Sequence, residues 1–191
     1  MIMINSKKRK GFTLIELMIV VGLIILMLGL TLPGFGNFSR KRNFNRAVKT
    51  FVSDISSAQS KSISGSRPTT SNIFNIAEMW GINMDCSASA SSPNKGRYQI
   101  VYSFPAASDI VAETKNLNFG LAGTPYRFTG FNGTCPANGQ IYFTRFNGIA
   151  SKDRGLFTSS EAIRITISSD EDVALLSEIT IHRSGKITVT P

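Results

Sequence analysis

Glu16 is the one charged residue between Phe12 and Leu32, a stretch of 21 residues made almost entirely of Leu, Ile, Val, Met and Gly. An ionised carboxylate in such surroundings is costly unless a cation neutralises it, so its partner is the first chemical question the chain poses. Two sources of positive charge are at hand. Lys7, Lys8, Arg9 and Lys10 lie just before the stretch and can snorkel towards Glu16 of the same chain. Alternatively, hydrolysis of the Gly11–Phe12 bond would create a new amine on Phe12, which could meet Glu16 of a neighbouring helix.

Other residue types capable of chemistry are sparse. Cys86 and Cys135 are the chain's two cysteines, with 48 residues between them. In an exported domain they either form a disulfide that staples two turn-rich loops or stay as separate thiols. His182 is the single histidine, too little for a zinc site, and it would be the sole base available to a Ser-His-Asp triad. No nucleophile elbow, phosphate-binding glycine loop or metalloprotease helix is present, so no catalytic residue, metal ligand or cofactor is assigned. Ser169-Asp170-Glu171-Asp172 lacks the glycine and distal glutamate of a helix-loop-helix calcium site and reads as a solvated turn.

The elements that position these groups can be read from periodicity. A helix of the Phe12–Leu32 length rises roughly 30 Å, the thickness of a bilayer's hydrocarbon core. The basic leader marks its cytoplasmic end, and the domain after Leu32 is expected outside that membrane. Phe44, Val48, Phe51, Ile55, Ala58 and Ser62 then recur at spacings of four and three, which predicts a continued helix with one buried face. Arg40, Arg42, Arg46, Lys49 and Lys61 occupy the opposite side, and Ser64-Gly65-Ser66 before Pro68 supplies a stop. Pro33, Gly34 and Gly36 should kink or loosen the helix.

After Gly65 the pattern changes to strands, expected at 69–76, 97–104, 111–119, 126–131, 140–146, 162–168, 178–182 and 186–190. Alternation is plainest in Ile163-Arg164-Ile165-Thr166-Ile167 and Ile179-Thr180-Ile181-His182, with Ser184-Gly185 as a hairpin turn. The predicted class is α+β: a long N-terminal helix, transmembrane in its first half and amphipathic in its second, with an antiparallel β-sheet head packed on it. The expected divisions are 1–11, 12–33, 34–65 and 66–191.

Gly11-Phe12-Thr13-Leu14-Ile15-Glu16-Leu17 resembles the prepilin processing motif of type IV pilins and type II secretion pseudopilins. The resemblance implies cleavage after Gly11 by a prepilin peptidase, N-methylation of Phe12, and recruitment of each subunit to a growing filament through Glu16. It also implies a single-pass protein of the bacterial cytoplasmic membrane whose leader is cytoplasmic and whose head lies outside. Its implied partners are other pilin or pseudopilin subunits, the peptidase, an inner-membrane assembly platform and membrane lipid. Residues 140–148, the Ile-rich strand after them, Ile179-Thr180-Ile181 and Gly185-Lys186-Ile187 look like the GspH/FimT family of minor pilins and H-type pseudopilins.

Some GspH/FimT members bind DNA in natural transformation through basic residues near the C-terminal turn. At that place this chain offers Arg183 and Lys186, without the Gly-Arg-x-Arg pattern of the DNA-binding members, because Lys186 comes directly after Gly185 and Thr188 replaces the second arginine. Two cations give weak phosphate binding at physiological salt. The formal charge of +9 would fall to +5 on loss of the four cations of residues 1–11. The expected function is a non-enzymatic minor pilin or pseudopilin, with a DNA receptor as the alternative.

Overall fold

The computed structural model describes residues 12–66, 79–86, 95–104, 109–118, 126–134, 139–145, 150–152, 162–172 and 174–191, with the side chains at 30–35 and 150–152 outside the description. The expected strand at 69–76, Cys135 and the leader lie outside these residues. Two compact units divide at Arg42 and Asn43.

One helix, α1 (Leu14–Ile63), is unbroken across Pro33. Thr13 caps its start: the Glu16 amide donates to the Thr13 hydroxyl at 3.3 Å and to the Thr13 carbonyl at 3.1 Å. The end is a Schellman closure, with Gly65 at φ 63°, the Ser66 amide on the Lys61 carbonyl (2.9 Å) and the Gly65 amide on the Ser62 carbonyl (3.2 Å). The predicted stop at Ser64-Gly65-Ser66 is realised, since glycine takes the left-handed conformation without a Cβ clash.

The strands are β1 (Met79–Met84), β2 (Arg97–Ser103), β3 (Ile110–Asn116), β4 (Tyr126–Phe131), β5 (Gly139–Thr144), β6 (Ala150–Lys152), β7 (Ile163–Ser169), β8 (Leu176–Ile181) and β9 (Ile187–Thr190). They form two sheets with antiparallel pairing throughout, ordered β3-β2-β1-β5-β6 and β4-β7-β8-β9. The α+β expectation holds. The periodicity missed β1 and the short β6, although β1 is the middle strand of the larger sheet.

Within the second unit, Phe44, Ala47, Val48, Phe51, Ile55 and Ala58 are buried in one cluster with residues from both sheets. Phe51 meets Tyr98 of β2 edge-on at 4.9 Å and Phe128 of β4 at 5.1 Å, so a single helical side chain joins the two sheets. Asp54, 8% exposed, accepts from the Tyr98 hydroxyl at 2.6 Å and from Lys115 Nζ at 2.8 Å. Ser62, fully buried, donates to the Phe143 carbonyl at 2.5 Å. The expected apolar face is thus the buried face, and its polar members are satisfied by the strands they meet.

Asn118 ties the sheets at a second place. Its amide nitrogen donates to the carbonyls of Lys95 (3.3 Å) and Tyr126 (3.2 Å), and its oxygen accepts the Tyr126 amide at 3.0 Å. Gly96 sits at φ 68° beneath this knot, where a Cβ would stand 2.6 Å from the Tyr126 carbonyl oxygen.

Candidate assembly site

Phe12 is 79% exposed, and every described side chain of α1 from Leu14 to Gly29 is exposed as well. The single carboxylate in this sleeve, Glu16, occupies the third position of the helix behind the Thr13 cap. Thr13 and Glu16 therefore stand at the spacing of a capping box, where an N-terminal amide finds an oxygen and an acid faces the positive end of the helix dipole. Sequence reasoning missed Thr13, although Thr-x-x-Glu ahead of an apolar run was legible as a helix start. Glu16 thereby has a favourable environment at the helix start in addition to any cation it meets.

Counted over the described residues, no helix is long and apolar enough to cross a membrane. The described apolar side chains stop at Gly29, and the expected continuation to Leu32 falls on side chains outside the description. The helix start presents an exposed apolar surface carrying one acid.

In the head, Arg183 and Lys186 are exposed together on the β8–β9 turn. That turn is held by the His182 amide on the Lys186 carbonyl (2.9 Å), the Gly185 amide on the His182 carbonyl (2.8 Å), and Gln59 Nε2 on the Gly185 carbonyl (3.3 Å). His182 is half-buried beyond the end of β8, a correction to the expected strand, which ran through it. Arg127 does not join the turn: its Nε lies 2.8 Å from Asp170. Lys95, 4% exposed, also pairs with Asp170. Burial and then the Arg127 charge hold the Lys95 ammonium below its ordinary pKa, opposed by Glu171.

Asp170 is thus a counter-ion for two cations, which corrects the reading of its turn as merely solvated. Among the described residues, no group of three or more His, Cys, Asp or Glu could hold a metal ion. Cys86 is buried and disulfide-bonded.

Residues 6–32 match the prokaryotic N-terminal methylation motif. The N-terminus is similar to those that carry this motif. A relative, prepilin peptidase-dependent protein D of Escherichia coli (strain K12), is 42% identical over 45 residues, which is 24% of this chain and 31% of the relative. The match spans about a third of that curated protein's length. No solved structure matches the chain. The likeness to pilins and pseudopilins is therefore carried by the prepilin N-terminus, and the head is described by its own geometry.

Proposed function

We propose that this chain is a non-enzymatic minor pilin or pseudopilin, a structural subunit of a type IV pilus or a type II secretion pseudopilus. The observation that carries the reading is the methylation motif at 6–32 set on an exposed apolar helix with one acid at its capped start. The chain inserts through Phe12–Leu32 with its leader in the cytoplasm and its head outside. Prepilin peptidase cuts after Gly11, and Phe12 is N-methylated. The assembly platform then moves the subunit from lipid into a filament packed helix against helix.

Gly22 and Gly29 meet no other atom within 4 Å of an added Cβ, so close approach by a neighbouring helix is sterically open there. Glu16 pairs with the Phe12 amine of an adjacent subunit, and an incorrect register leaves the acid unpaired in an apolar setting. The head is most like the GspH/FimT family, a reading supported by the β5, β7, β8 and β9 strand patterns. Cys86 takes Cys135, the chain's other cysteine, as its disulfide partner.

Glu16→Ala tests the assembly role: membrane insertion and leader cleavage should persist while filament incorporation is lost or sharply reduced. Normal incorporation would refute the pairing. Gly11→Leu should leave a leader-bearing chain on immunoblots, and mature-length protein from that variant would refute the cleavage site.

A further inference from the structure

Phe38, Arg40, Lys41 and Arg42 are all exposed on α1, and the Arg42 guanidinium lies over the Phe38 ring at 5.6 Å. Consecutive helical residues turn by roughly 100°, so Arg40, Lys41 and Arg42 fan over roughly 200° of the circumference as a partial collar. From Leu32 to Arg40 is eight residues, or about 12 Å of helix. The headgroup zone begins where the apolar run ends, and long basic stems can turn back into it. An exposed phenylalanine near that boundary can bury its ring at the level of the headgroups. The sequence holds no acidic residue between Glu16 and Asp54, so the net sign of this segment is positive throughout.

We infer that Phe38, Arg40, Lys41 and Arg42 form a docking collar for anionic phospholipid headgroups of the outer leaflet. The inference rests on the membrane span proposed above. A lipid leaflet surrounds a helix and engages cations on every side of it, whereas a protein or nucleic acid arriving from one side would leave part of the collar unused. Processing sharpens the role, because cleavage after Gly11 removes Lys7, Lys8, Arg9 and Lys10 from the inner flank. The mature span then keeps basic residues on its outer flank only, and its electrostatic attachment lies on the side towards which a growing filament leaves the membrane.

The test uses the full chain reconstituted in phosphatidylcholine vesicles doped with spin-labelled phosphatidylglycerol or spin-labelled phosphatidylcholine, reading the protein-immobilised lipid component. The wild-type chain should prefer phosphatidylglycerol. Arg40→Gln, Lys41→Gln and Arg42→Gln together should lower that preference by roughly fivefold or more, given about fivefold for each cation engaged at an anionic surface. A phosphatidylglycerol preference in the triple variant as strong as in the wild-type chain overturns the inference, as does a preference that vanishes only when Lys7, Lys8, Arg9 and Lys10 are replaced by Gln. Loss of filament incorporation by the triple variant with lipid preference unchanged would assign the cations to a subunit contact and also overturn it. If the wild-type chain immobilises no lipid of either kind, the membrane span itself fails, a result distinct from insertion without selectivity.

Discussion

Asp54 lies on the buried side of α1, where a carboxylate without partners would be strongly destabilising. Tyr98 and Lys115 supply those partners from β2 and β3. Burial first, then the hydrogen bond to Asp54, pushes the Tyr98 phenol above its ordinary pKa of 10.0. The hydrogen bond to Asp54 raises Lys115 above 10.5 against the opposing effect of burial. Both groups bind their protons more tightly in the folded chain, so the stability they contribute is complete below about pH 10 and declines as pH rises beyond it. Thermal unfolding followed from pH 9 to 12 should show a falling Tm, and Tyr98→Phe should flatten that fall. Asp54→Leu would remove the acid, leaving the buried Tyr98 hydroxyl without its acceptor and Lys115 with Glu113 alone, and it should lower Tm at neutral pH. Neither Asp54 nor its partners was legible in the sequence, because the periodicity that marks a buried face says nothing about which strands will cover it. Glu16 was legible through its isolation, and Thr13 would have been through its three-residue spacing from it.

At the level of elements, the helix was readable because six positions repeat the same spacing over five turns, and all six are buried. Most strands were readable for the parallel reason of alternation. β1 was not. Its sequence, Met-Trp-Gly-Ile-Asn-Met, is buried on both faces along much of its length, so no alternation survives, and a central glycine ordinarily argues against a strand. The structure explains that glycine: a Cβ on Gly81 would stand 2.2 Å from the Ile141 carbonyl oxygen and 2.7 Å from the Tyr142 ring. Gly81→Ala should therefore force β1 and β5 apart and destabilise the head by about 1–3 kcal/mol, measured by chemical denaturation; an unchanged midpoint would contradict this close approach. Turn chemistry was more legible than strand identity. Asn132 and Gly133, both at positive φ (50° and 78°), make the tight reversal between Phe131 and Thr134 that the Asn-Gly pair announces.

For the whole molecule, charge separates the functional readings better than fold does. Arg127 is committed to Asp170, and Arg183 and Lys186 are the exposed basic pair of the β8–β9 turn. With two phosphate contacts, the logarithm of DNA affinity should fall with the logarithm of salt at a slope of about −2. Filter binding or anisotropy on the full chain should accordingly show weak association that disappears near physiological salt. A steeper slope abolished by Arg183→Ala and Lys186→Ala would instead favour the DNA-receptor reading. The overall α+β plan and the prepilin N-terminus were both legible because each rests on local pattern. The two-sheet division was not, since it depends on pairings between strands far apart in sequence, such as β1 with β5.

The ring of Phe51 touches Tyr98 and Phe128, which lie 47 and 77 residues further along the chain. Contacts of such separation place the head among slowly folding topologies. If the chain leaves the cytoplasm N-terminal helix first, its apolar stripe emerges well before the strands that cover it. In that case an interval opens in which the stripe is uncovered, and a chaperone or a membrane surface would have a defined segment, Phe44 to Ala58, to shield until the strands arrive.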